Sequence, residues 1–121
     1  MALKKLLQRL TVPVGDLDTE QLRVFCRSLP DVTPIADVLP RQEATVVGEI
    51  TSVRIVPRAG SPSLEATITD GSGAVVAMWT GRRRIAGVAP GKRLVVSGRG
   101  APTGAGGRLL LFNPRYELLA R

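Results

Sequence analysis

The chain has 121 residues, 44% hydrophobic and 22% charged, and a net charge of +7, enough for one modest core. It contains one cysteine and no histidine, which excludes an internal disulfide, a Cys/His metal site, and Ser-His or Cys-His nucleophile pairs. No apolar run approaches the ~20 residues of a membrane span.

Residues 2–10 place Leu3, Leu6, Leu7 and Leu10 at helical spacing, with Lys4, Lys5 and Arg9 opposite. The charges interrupt the leucines, so this is an amphipathic helix and not a signal peptide; a cytoplasmic location is expected. Thr11 to Gly15 breaks the pattern. Asp18 is positioned to cap a second helix, with Gln21 as its capping-box partner. That helix buries Leu22, Phe25, Cys26 and Leu29 and stops before Pro30. Residues 1–44 therefore read as a helical extension packing on the next unit and closing one end of it. Cys26 reads as apolar filler.

From Thr45 the period changes to two. Val46, Gly48 and Ile50 share one face, then the pattern slips and continues at Val53 and Ile55. A bulge near Ser52 absorbs such a slip and lets a long first strand bend. Pro57 to Pro62 is read as a loop. Strand two turns Leu64, Ala66 and Ile68 inward and Glu65, Thr67 and Thr69 outward. Asp70-Gly71-Ser72-Gly73 is a tight turn. Strand three turns Val75, Ala77 and Trp79 inward and Val76 and Met78 outward. Gly81 to Val88 reads as a short helix or turn. Pro90-Gly91 opens strand four, Lys92 to Arg99; Ala101 to Gly107 is a glycine-rich loop; strand five is Arg108 to Leu118. Residues 45–121 thus form a mainly β unit: a five-stranded Greek-key barrel of the OB (oligonucleotide/oligosaccharide-binding) plan, with short N-terminal helices.

The charge is uneven. Residues 1–44 carry six basic and six acidic groups, and residues 45–121 carry eleven and four. Fourteen of the seventeen cations are arginine, whose planar fork suits phosphate and stacks on bases. Solubility alone is the bland explanation. The carboxylates are scattered with no acid–base pair, so no enzyme, cofactor or metal is expected.

Three segments resemble the OB (wedge) domain of the RecG branch-migration helicases: Thr33-Pro34-Ile35-Ala36-Asp37-Val38, Asp70-Gly71-Ser72-Gly73 and Phe112-Asn113-Pro114. Pro90 to Gly98 falls in order between the last two. Trp79-Thr80-Gly81-Arg82-Arg83-Arg84-Ile85 and Asn113 to Leu118 resemble small stand-alone actinobacterial OB-fold nucleic-acid-binding-domain proteins. The resemblance implies nucleic-acid binding. The chain lacks the Gly-x-x-x-x-Gly-Lys-Ser/Thr phosphate loop, so nucleotide hydrolysis is not expected.

On that plan the ligand groove crosses strands two and three, between the 57–62 and 101–107 loops. Arg54, Arg58, Arg99 and Arg108 flank it as candidate phosphate contacts, and Arg82, Arg83 and Arg84 form the densest positive site. Phe112, on the outward phase of strand five, is the favoured base-stacking platform. Trp79 is a second candidate, although its inward parity favours core packing unless a bulge reverses it. With aromatics at 3%, binding to single-stranded or branched DNA, or to RNA, is expected to be backbone-driven and sequence-indifferent. The rival expectation is a protein-interaction or homo-oligomerisation module using the barrel and the leucine stripe, with no membrane involved.

Overall fold

The computed structural model describes residues 14–58, 60–102 and 108–119. The first expected helix, residues 2–10, and most of the glycine-rich loop, residues 103–107, lie outside the described residues. Helix α1 spans Val14–Arg27, followed by a 3-10 turn at Ile35–Asp37. The strands are β1 (Glu43–Arg58), β2 (Ser61–Thr69), β3 (Ala74–Thr80), β4 (Arg93–Pro102), β5 (Leu109–Phe112) and β6 (Arg115–Leu119). They form one mixed sheet, ordered β1-β2-β3-β5-β4-β6, in which β1 also pairs with β4. Five strands therefore close a ring, and β6 lies outside it on the edge of β4.

β1 makes the closure. Its first half, Glu43 to Glu49, pairs with β4, and its second half, Glu49 to Arg58, pairs with β2. The register shifts between Ile50 and Ser52, where the slip in the hydrophobic pattern placed it. The extra residue lets Ile50 and Val53 face the same interior despite their odd spacing. At the crossover the strands nearly touch: a Cβ on Gly48 would meet the Thr69 carbonyl oxygen at 2.6 Å. Ile55 departs from expectation. It is opposite Leu64 in the ladder but 54% exposed, because β1 runs on past the core.

The interior holds the inward phases of all five ring strands, with Ile50, Ala66, Ile68, Ala77, Leu94 and Val96 all essentially inaccessible. Ile35 enters beside the start of β3, and Ile85 and Val88 enter beyond its end. These three side chains plug the ring. Helix α1 does not. It lies on the outer face of β1, β4 and β6, where Leu22 and Cys26 pack on Val47, with Phe25, Val95 and Leu119 around them. Asp18 is inside this helix rather than its N-cap, since the helix begins at Val14.

Two further boundaries differ from expectation. β1 and β2 reach almost to their joining turn, so Pro57 and Pro62 are opposed strand residues and not loop ends. The fifth strand is broken in two. Asn113 adopts φ 47°, and the chain kinks there so that both β5 and β6 pair with β4. Among the described residues, no helix is long and apolar enough to cross a membrane.

Candidate nucleic-acid interface

The outer wall of β1, β2, β3 and β5 is built from the phases that do not enter the core. The ladders align Arg54, Glu65, Met78 and Phe112 in one row. The next row is Ser52, Thr67, Val76 and Leu110. At about 4.8 Å per strand, Arg54 and Phe112 stand roughly 14 Å apart along their row. Met78, between Glu65 and Phe112, is fully buried, whereas Phe112 is 49% exposed. Arg54 donates from Nε to Glu65 at 3.0 Å, with its own side chain 75% exposed. The wall is thus a polar and apolar strip with one ion pair, and its only cation on these two rows is already partnered.

The positive charge stands at one end of this strip. After β3, the Gly81 N–H donates to the Pro62 carbonyl at 2.8 Å, tying the β3–β4 connection to the tip of the β1–β2 hairpin. Arg82, Arg83 and Arg84 emerge beside that tip. All three are exposed, and they form no ion pair among the described residues. Of the two expected forms of this connection, the turn is the one observed. Gly81, Gly87 and Gly91 all have positive φ, and with Pro90 they leave no stretch able to hold a helix. Ile85 and Val88 still reach the core, so the arginines are held outward by their buried neighbours.

The remaining candidates are not gathered there. Arg58 contributes backbone to the hairpin, opposite Ser61; its side chain lies outside the described atoms. Arg99 projects from β4 on the other wall, opposite Glu43 in the ladder, where Arg115 also binds Glu43 at 2.8 Å. Arg108 precedes β5, at the end of the strip remote from Phe112. It lines a depression with Ile35, Ala36 and Val38. Trp79 is 5% exposed. Its indole N–H donates to the Pro114 carbonyl at 3.1 Å, and its ring meets Tyr116 edge-on at 5.4 Å. It is a core side chain with no face open for stacking.

The segments that carry the family resemblance turn out to be fastenings. Asp70 Oδ2 accepts the Ile35 N–H at 2.9 Å, and Oδ1 accepts the N–H and hydroxyl of Ser72 at 2.8 and 2.7 Å. The Ser72 hydroxyl oxygen in turn accepts the Ala36 N–H at 3.1 Å. One turn thereby anchors the plug segment across the mouth of the ring. Asn113 performs the same service at the opposite end, where its side-chain oxygen accepts the Thr80 N–H.

Sequence reasoning missed two arginines that serve the fold. Arg93 binds Glu49 at 3.2 Å and stacks its guanidinium over Phe25 at 4.5 Å. Arg23 donates to the Gly71 carbonyl at 2.7 Å. The shared outward phase of Arg93 and Glu49 was visible in the sequence, but not the β1–β4 register that joins them. Beside Arg23 lies a cavity of about 350 Å³, whose other charged lining groups are Asp37 and Asp70. Burial, reinforced by the Asp70 charge, pushes the Cys26 thiol up to about 11, so it is a poor nucleophile at neutral pH. Among the described residues no group of three or more His, Cys, Asp or Glu could hold a metal ion.

No protein-family model matches the chain, and no curated protein matches it. Solved structures do. The chain is similar to RecG bound to a three-way DNA junction, with TM-score 0.57 and 21% identity, covering 74% of this chain but 12% of that one. It is similar to an OBody bound to hen egg-white lysozyme, with TM-score 0.58 and 15% identity, covering 77% of this chain and 98% of that one. A third likeness is to yeast Stn1 and Ten1, with TM-score 0.50 and 10% identity over 65% of this chain and 43% of that one. At these identities the likeness is one of fold, and the fold is OB-like.

Proposed function

We propose that the chain is a non-enzymatic binder of single-stranded or branched nucleic acid. We read its five-stranded ring as a Greek-key OB barrel that presents the β1–β2–β3–β5 wall. The observation that carries this reading is the trio Arg82, Arg83 and Arg84, exposed and without ion-pair partners among the described residues, beside a wall that ends in exposed Phe112. Three exposed guanidinium groups in sequence concentrate positive potential at one place, and a phosphate backbone supplies anions at regular spacing. Phe112 offers the ring on which a base stacks. Arg54 extends the path along β1, where a phosphate competes with Glu65 for its guanidinium; Arg99 and Arg108 serve as peripheral contacts. The RecG structure, in which an OB-like neighbour belongs to a protein on a DNA junction, supports the choice of ligand.

Titration of labelled single-stranded and three-way-junction DNA at low and moderate salt tests the reading. Replacement of Arg82, Arg83 and Arg84 by Glu should abolish binding that the parent shows. No binding by the parent at low salt sinks the proposal, and unchanged affinity of the triple variant moves the site elsewhere.

A second reading has its own support. The wall carries an ion pair and an exposed aromatic ring rather than a field of cations, and an OBody of similar fold is bound to a protein, lysozyme. A protein-docking wall would lose its partner on Phe112→Ala and would show little dependence on the arginine trio.

A further inference from the structure

β6 is the outermost strand of the sheet. It pairs with β4 through Arg93–Leu119 to Ser97–Arg115, and among the described residues its other edge has no partner. An open edge is a row of unpaired N–H and C=O groups that can template another strand. β6 is short and charged, but it contains no proline, its pairing shows no bulge, and all of Arg115, Tyr116, Glu117 and Leu118 are exposed. Tyr116 is 41% exposed and Leu118 38%, a large apolar share for an edge.

We infer that β6 pairs antiparallel with β6 of a second copy of this chain, joining two sheets about a two-fold axis through Tyr116. The charge pattern selects both the occupant and the register. A two-fold axis normal to the sheet keeps each side chain on its own face, so opposed residues share a phase. An axis through Tyr116 sets Arg115 opposite Glu117 of the second copy, and Glu117 opposite its Arg115. It also places the two tyrosine rings side by side. An axis through Arg115 opposes two guanidinium groups, one through Glu117 opposes two carboxylates, and one through Leu118 sets Glu117 against an apolar Leu119. Opposite charges directly across a ladder stabilise the pairing and like charges oppose it.

The overall charge favours this edge as well. Two chains of +7 repel, but β6 itself carries one cation and one anion. Arg115 already donates to Glu43 at 2.8 Å, and its guanidinium has further N–H donors for a second carboxylate. The inference goes beyond nucleic-acid binding and stands without it.

Sedimentation equilibrium of the full chain, over concentrations up to about 1 mM, tests the association. The parent should show a monomer–dimer equilibrium. Glu117→Arg and Arg115→Glu should each weaken it by about tenfold or more, since either change turns two attractive cross-strand pairs into repulsive ones. An equimolar mixture of the two variants should recover dimer, because each chain then offers opposite charges to the other at both positions. Tyr116→Cys should cross-link to itself under mild oxidation, as residues opposed in an antiparallel ladder lie within disulfide reach; Cys26 is buried and does not compete. A parent that stays monomeric overturns the proposal. So does a dimer indifferent to either reversal, a mixture that fails to recover dimer, or a Tyr116→Cys chain that does not cross-link.

Discussion

Asn113 and Thr80 lock the broken fifth strand to the end of the third: the Asn113 side-chain oxygen accepts the Thr80 N–H at 2.9 Å and its hydroxyl at 3.3 Å. The Asn113 N–H donates to the Met78 carbonyl at 2.6 Å, and one residue further on Pro114 receives the Trp79 indole N–H. The kink is therefore a built joint. Its left-handed backbone tolerates Asn but strains a residue with a plain Cβ. Asn113→Ala should cost about 2–3 kcal/mol in urea unfolding, from a lost acceptor and backbone strain together. Asn113→Gly should cost less, because it loses only the acceptor. Equal losses would show that the backbone conformation contributes nothing.

Asp70 anchors the plug. Removing its carboxylate leaves the buried Ile35 N–H without a partner and undoes the turn at Ser72. Asp70→Ala should destabilise by roughly 3 kcal/mol, and Asp70→Asn by less, since the amide oxygen still accepts. Denaturant midpoints at constant slope check both.

Gly48 marks the closest crossing in the ring. A Cβ placed there would stand 2.6 Å from the Thr69 carbonyl oxygen and 2.7 Å from an Ile68 methyl. Gly48→Ala should cost about 1–3 kcal/mol through overpacking against backbone that cannot yield. A thermal melt matching the parent would mean that the strands separate there more easily than their ladder suggests.

Cys26 predicts an alkaline weakening. Its folded value, raised to about 11 by burial and then by Asp70 and Glu49 against the opposing pull of Arg93, lies above that of an unfolded thiol. Between roughly pH 9 and 11 the unfolded chain has lost a proton that the folded chain keeps, so stability falls as pH rises through that window. The loss should reach about 2–3 kcal/mol above it. Cys26→Ala should remove this component, seen as a difference between the two pH–stability curves. Parallel curves would sink the assignment.

If the arginine trio meets phosphates, every arginine–phosphate pair removed by substitution should reduce the slope of log K against log salt by about 0.7 on single-stranded DNA. Phe112→Ala should instead weaken binding by roughly 1–3 kcal/mol with little change in slope, as expected for the removal of a stacking ring. Its thermal stability should stay near the parent's, since the ring is half exposed. A slope change on Phe112→Ala would contradict its role as an uncharged platform.

Much of the fold was legible because strands are written locally. The inward phases of β2 and β3, the bulge after Ile50 and the Asp70–Gly73 turn all follow from period and turn chemistry. The site was read less well, because its geometry depends on pairs far apart in the chain. Nothing near Pro57 announces that it will oppose Pro62, which shortens the expected loop to a hairpin tip. Nothing near Arg93 announces Glu49, 44 residues away, so a fold-stabilising arginine was indistinguishable from a free one. The Asn113-Pro114 pair carries a local sign of the break as well as the resemblance, since proline interrupts a strand.

The order of residues along the chain dictates the alternation of strands and turns, the β-rich core and the excess of arginine in the β region, since each is a property of neighbours or of composition. Which arginines stand together is a matter of the folded arrangement. Strand order and register carried Arg82, Arg83 and Arg84 to one end of the Phe112 wall, placed Arg99 on the opposite wall, and gave Arg54 and Arg93 carboxylate partners. Charge acts through space, and only the closing of the ring set those distances.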